Sequence, residues 1–370
     1  MRTPRFAAAL SGLAAVALAA TACGSAPESR TESGAEGGTQ SEGATPSGDD
    51  SDFKACMVAA VGGLDDKSFN QSGYEGLKRA EKELGVQIAV SETFSDADYV
   101  PQIGNMVSEG CDLVFGVSWE ASEAVHAAAA SHPDVHFALV DDVADAEVEN
   151  VKGLVFNTAE ATYLAGYAAA AMTTSGKVGT FLGGKMPPTM LFADGFADGV
   201  DKYNEANGAN IELLGWNKSE QDGMATGDFE DISRGKQFAA QLIEQGADIV
   251  MPVAGVVSTG ALAAASEVPG TSIIWVDVDG YYSEPDYASL MLTSVLKEVG
   301  NAVYDTVAEA VGGQWTGQDY IGTLANDGVG LAPWHDFEDS VPEELDNALV
   351  ALREQIISGE IVVESPSAPH

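Results

Sequence analysis

Beyond about residue 53, short apolar runs alternate with stretches whose apolar residues recur every three or four positions. The runs predict strands at Ala55–Val61, Gln87–Glu92, Leu113–Val117, His136–Val140 and Val151–Val155. Helices are expected between and after them at Ser68–Leu84, Asp98–Glu109, Ala121–Ser131 and Ala159–Met172. A second series follows, with strands at Lys177–Leu182, Ile211–Trp216, Ile249–Pro252, Ile273–Val276 and Ser289–Thr293. Its helices fall at Met190–Asn207, Ile232–Gln245, Thr259–Ala265 and Leu296–Val311. Strands that are apolar nearly throughout, separated by helices, imply parallel sheets covered on both faces. Two such series, without a sequence repeat at fixed period, predict two doubly wound, Rossmann-like α/β domains of similar size. The expected division is 53–157 with about 281–315 against 158–280 with about 316–364. Ligands of such pairs lie in the cleft between the domains, at the C-terminal ends of the strands.

One strand end stands out. Met57–Val61 breaks at Gly62-Gly63, and a polar loop with a single large aromatic leads into the helix from Ser68. Phe69 offers a stacking face, and Asp66, Ser68 and Asn70 offer hydrogen-bonding groups. The loop lacks the glycine run and basic residue of a phosphate cradle. It therefore suits a neutral, flat, polar ligand.

Charge narrows the partners. Fifty-seven acidic residues face 17 basic ones, a formal net charge of −40. Nucleic acid is excluded as a partner, because its phosphates need basic patches. Such an excess favours solubility in an exposed setting.

The amino terminus predicts export. Arg2 and Arg5 precede the apolar stretch Ala7–Ala20, the layout of a signal peptide over residues 1–22. Leu18–Cys23 resembles a bacterial lipobox, with Cys23 as the lipidated residue and Ala20 where leucine is usual. Ordinary secretion with a spare cysteine is the alternative. Residues 24–52 are Gly, Ser, Glu, Thr and Pro with little apolar content, a tether that cannot bury a core. The expected location is the extracytoplasmic face of the cell membrane. Cys56 and Cys111 lie beside strands of one domain, and in an oxidising compartment they predict a disulfide. Two buried thiols are the alternative, decided by whether the Cα atoms approach within about 7 Å.

Other strand ends supply further candidates: Ser118, Trp119, Glu120 and, one turn on, Glu123; Phe192; Gly255; Asp277; and Ser294 to Lys297 at a crossover between domains. Several enzyme motifs fail. Gly179–Lys185 matches a P-loop up to the lysine, but Met186-Pro187-Pro188 stands where Ser/Thr and a helix must follow, so a tight turn is expected. Asp277–Gly280 lacks the later ligands of a calcium loop. The five histidines lack metal spacing and triad partners. No catalytic residue, cofactor or metal is expected.

Taken together, Asp65–Gln71, Val155–Thr158, Leu164–Tyr167, Gly195–Gly199, Gly246–Val250, Pro252–Gly255, Val276–Asp279 and Leu292–Lys297 resemble the basic membrane protein family. These are PnrA-like purine nucleoside-binding lipoproteins of ABC transporters, and the similarity spans Lys54–Glu364. The resemblance implies a type I periplasmic-binding-protein fold with a multi-crossover hinge. It implies that Phe69 and Phe192 sandwich a purine, that Glu123 reads the base edge, and that Trp119 gives an apolar wall. Asn70 would donate to and accept from the base. Asp277 and Lys297 would hold the ribose hydroxyls, with Gly255 allowing close approach. The implied function is capture of a nucleoside by a monomeric, lipid-anchored protein and delivery to an ABC permease. A sensor component, or a binder of another solute such as a sugar-like autoinducer, is the alternative; a nucleoside hydrolase lacks a visible acid, base or metal set.

Overall fold

The computed structural model describes residues 52–369. The expected signal segment, Cys23 and nearly all of the expected tether lie outside the described residues.

Two six-stranded sheets organise the chain. The first is built from β1 (Lys54–Ala59), β2 (Gln87–Glu92), β3 (Leu113–Val117), β4 (His136–Val140) and β5 (Val151–Phe156). The second begins with β6 (Lys177–Leu182) and β7 (Glu212–Leu214), followed by a small hairpin of β8 (Trp216–Asn217) and β9 (Asp222–Gly223). It continues with β10 (Ile249–Val253), β11 (Ser272–Asp277) and β12 (Met291–Lys297). Two late strands, β13 (Tyr320–Gly322) and β14 (Val329–Leu331), finish one sheet each. The orders are β13-β5-β4-β3-β1-β2 and β14-β12-β11-β10-β6-β7, parallel throughout except for β14 against β12.

Helices cover both sheets: α1 (Phe69–Leu84), α2 (Tyr99–Ser108), α3 (Ser122–Ser131), α4 (Thr158–Met172) and α5 (Pro187–Asn207). They continue with α6 (Ile232–Glu244), α7 (Thr259–Ser266), α8 (Gly280–Ser283), α9 (Val299–Val311) and α10 (Glu343–Ile357). The strands are buried on both faces for the reason their sequence suggests: β3 and β10 carry no residue open to water. In α1 the buried residues Asn70, Gly73, Gly76, Leu77 and Ala80 fall on one stripe. Gly76 is obligatory there, because a Cβ would stand 2.1 Å from the carbonyl oxygen of Gly300 in α9.

The chain crosses between lobes at 156–158, 297–299 and 322–329. This redraws the expected division. Residues 291–297 pair with β11 in the second sheet, and residues 320–322 pair with β5 in the first. The strand expected at Ser289–Thr293 runs on to Lys297, and the helix expected from Leu296 starts at Val299. Burial explains the longer strand, since Ser294, Val295 and Lys297 are all interior. The tight turn expected at Met186–Pro188 is instead a helix start. Pro187 and Pro188 open α5, where a missing N–H costs nothing.

Cys56 and Cys111 are joined, with Cα atoms 6.0 Å apart. The bridge ties β1 to the turn entering β3 and closes a separation of 55 residues.

Candidate functional site

The C-terminal strand ends of both lobes face a shared cavity of about 390 Å³. Its walls include Asp66, Phe69, Asn70, Glu120 and Asp141 from the first lobe. The second lobe contributes Phe192, Phe229, Gly255, Asp277 and Lys297.

The first-lobe loop is held by its own polar groups. The Asp66 carboxylate accepts N–H bonds from Ser68 (3.0 Å), Asn70 (2.8 Å) and Gln71 (3.0 Å), capping α1. Burial pushes its carboxyl up to about 6, against those three bonds, which favour the anion. The Asn70 amide accepts from the Ala60 N–H at 2.9 Å and donates to the Ala60 carbonyl at 3.1 Å. Asn70 lines the cavity, but its amide grips backbone instead of standing free for a base edge. Ser68 does not line the cavity; its hydroxyl donates across the lobes to Asp277 Oδ2. Phe69 is the side chain that this frame presents.

A charged cluster occupies the hinge side. Lys297 ends β12, is 3% exposed, and pairs with Asp141 Oδ2 at 2.6 Å. Its Nζ lies 4.5 Å from the Phe69 ring centroid, 5.4 Å from that of Phe156 and 6.0 Å from that of Phe192. Cation–π attraction at this depth adds to the ion pair. Burial drives the carboxyls of Asp141 and Asp277 upward, opposed by the Lys297 charge. Among the described residues, Lys297 is the one basic residue of the cavity wall, which also carries Asp66, Asp96, Glu120, Asp141, Asp228 and Asp277.

Left-handed backbone occurs at three residues of the cavity wall and at one in the adjoining loop. Ser118, Asp141 and Asp277, each at the end of a strand, have φ of +94°, +73° and +69°, and Lys67 has +59°. Side chains rarely adopt this region, and such strain gathers where surrounding structure fixes a functional geometry.

The remaining expected residues divide. Phe192, 2% exposed, lines the cavity from the second turn of α5, and Gly255, at φ +53°, follows β10. Trp119 is 42% exposed and does not line the cavity, so it forms no apolar wall. Glu123 points outward from α3 into solvent; Glu120, on the preceding short 3-10 turn, lines the cavity instead. One helical turn separates the two glutamates, and the turn's direction settles which faces inward.

Among the lining residues off the expected list, Asp141 and Phe229 bring the most chemistry. Asp141 begins the Asp141-Asp142 doublet, which as sequence resembles a solvated strand end. Phe229 sits in the loop between β9 and α6. That loop is fixed by Arg234, which donates to the Thr226 carbonyl at 2.5 Å and the Asp228 carboxylate at 2.6 Å. The Phe229 ring fills the space left by Gly183, where a Cβ would meet it at 2.3 Å. The Gly183-Gly184 pair was the available signal: glycine after a strand shows that something large approaches.

Among the described residues, no group of His, Cys, Asp and Glu could hold a metal ion, and no helix is long and apolar enough to cross a membrane.

Two α/β lobes with a ligand-sized cavity at their facing strand ends define a solute-binding protein of the type I periplasmic-binding-protein fold. The chain belongs to the ABC transporter substrate-binding protein PnrA-like family, whose profile matches residues 53–367. It is 31% identical over 333 residues to the ABC transporter nucleoside-binding protein BmpA of Lactococcus lactis subsp. cremoris, covering 85% of this chain and 90% of that protein. Basic membrane protein A of Borreliella burgdorferi is 29% identical over 310 residues, covering 82% and 86%. The crystal structure of an ABC transporter solute-binding protein from Aeropyrum pernix K1 has a TM-score of 0.76 at 26% identity, covering 84% of this chain and 92% of that one.

Proposed function

We propose that this protein captures a nucleoside, with a purine base, and delivers it to an ABC permease from the outer face of the cell membrane, held there by lipid on Cys23. The observation that carries the reading is one cavity lined by four phenylalanines, Phe69, Phe94, Phe192 and Phe229, beside a buried Asp–Lys–Asp cluster. Phe69, Phe192 and Phe229 offer flat apolar faces to a base, with stacking worth about 1–3 kcal/mol per contact. Asp277 and Lys297 offer an acceptor and a donor to a vicinal diol, strengthened by charge. The cavity volume lies in the small-ligand range. Six carboxylates against one lysine oppose a phosphate, which favours a nucleoside over a nucleotide. The relative from Lactococcus lactis, described as nucleoside-binding, supports the same ligand class.

Capture, lobe closure and docking need no covalent step. Isothermal calorimetry with guanosine, adenosine, inosine, uridine and guanosine monophosphate tests the ligand. Purine nucleosides are expected to bind and the monophosphate to bind weakly. Heat from a free sugar alone, with none from a nucleoside, refutes the reading.

A further inference from the structure

We infer that Ser68 is a positioning residue for ligand binding, acting through Asp277 across the two lobes. This rests on the nucleoside reading above for its ligand, but the contact itself is independent of it. Ser68 is 1% exposed and Asp277 9% exposed, so their hydrogen bond is shielded from water. The bond joins the first-lobe loop to the last residue of β11 in the second lobe. A second tie sits beside it: Trp275 Nε1, two residues earlier on β11, donates to the Lys67 carbonyl at 3.2 Å. The Lys67-Ser68 dipeptide is thus stitched twice to one strand end.

The stitch orients the carboxylate. Asp277 sits at φ +69°, a conformation its own backbone does not favour, and among the described residues its side chain has one hydrogen-bond partner. Ser68 fills a lone pair on Oδ2 and fixes the plane of the group. Oδ1 takes no hydrogen bond from the described residues, which leaves it as an acceptor toward the cavity that Asp277 lines. Without the hydroxyl, the carboxylate is free to turn toward Lys297, whose charge already favours its anion. Ser68 itself stays outside the cavity wall. Its effect on a ligand must then fall on whatever Asp277 holds, namely the sugar hydroxyls, and not on the base.

The test compares ribose with deoxyribose on the full folded chain. Affinities for adenosine, 2′-deoxyadenosine, guanosine and 2′-deoxyguanosine are measured for the wild type, Ser68→Ala, Ser68→Thr and Asp277→Asn. Ser68→Ala is expected to lower ribonucleoside affinity about tenfold and deoxynucleoside affinity less than twofold, so the ribose preference shrinks. Ser68→Thr, which keeps the hydroxyl, is expected to restore the preference. Equal losses on both sugars, or no rescue by threonine, overturn the positioning role. If the wild type binds none of the four, the nucleoside reading fails, and a double-mutant cycle of Ser68→Ala with Asp277→Asn in urea unfolding decides the stitch. Non-additive losses uphold the contact, and additive ones overturn it.

Discussion

The two flanks of the cavity hold similar polar residues and use them in opposite ways. On the first-lobe loop, Asp66 and Asn70 spend their side chains on neighbouring backbone, within residues 60–71. On the hinge side, Asp141, Asp277 and Lys297 meet from separate strand ends: Lys297 pairs with Asp141 across the lobes, and its charge opposes the burial of Asp277, whose carboxylate accepts from Ser68. The first arrangement is a local frame around Phe69. The second is a charge cluster assembled only when both lobes are in place. The difference shows that a polar residue at a strand end is not thereby a ligand contact. What matters is whether its hydrogen-bonding capacity is already filled by its own loop.

The comparison breaks most visibly at Lys297. Lys297→Ala strands two buried carboxylates, so urea unfolding should show a loss of about 3–5 kcal/mol, partly recovered by adding Asp141→Asn. Loss of stability below 1 kcal/mol would mean that the cluster is hydrated and not buried as described.

The frame predicts a pH dependence of definite sign. Asp66 holds its proton more tightly folded than unfolded, about 6 against 3.8. Its contribution is therefore full below about pH 4, falls as pH rises toward 6, and is flat above. The change is about 3 kcal/mol. Asp66→Asn, which mimics the protonated form, should flatten that part of the curve; unfolding free energies at pH 4, 5, 6 and 7 for both proteins check it.

The aromatic flank sharpens the comparison on the binding side. Phe69→Ala and Phe229→Ala should each weaken nucleoside binding by about 1–3 kcal/mol in calorimetry, with the fold intact by circular dichroism. Phe192→Ala should also destabilise the fold, since its ring is 2% exposed and packs in the core. Smallest of all is the glutamate pair: Glu120→Gln should lower affinity measurably, while Glu123→Gln should change it less than twofold. The reverse result would put Glu123 in the site and Glu120 outside it.

Much of this was legible in the chain. Continuous apolar runs announce buried parallel strands, and their ends announce Phe69, Gly255, Asp277 and Lys297. The cysteine pair was visible as a candidate because both residues flank adjacent strands. Other features were hidden for physical reasons. Whether Glu120 or Glu123 faces inward depends on the direction of a single 3-10 turn after Ser118, which spacing does not reveal. Asp141 becomes a site residue only through Lys297, 156 positions away. Phe229 follows no strand directly and is placed by the Arg234 contacts that hold its loop. The division of lobes was misjudged at β12 and β13 because consecutive strands there join different sheets, and local pattern carries no record of which sheet a strand enters.

The position of Lys297 has a mechanical consequence. It is the last residue of its strand, and the chain crosses to the other lobe within the next two residues. A group beside the fulcrum sweeps the shortest arc when the lobes swing, whereas Phe229 and the start of α5 at 186–189, at the cavity's other walls, sweep longer ones. The ammonium group thus serves as a fixed reference point around which the rest of the wall arrives.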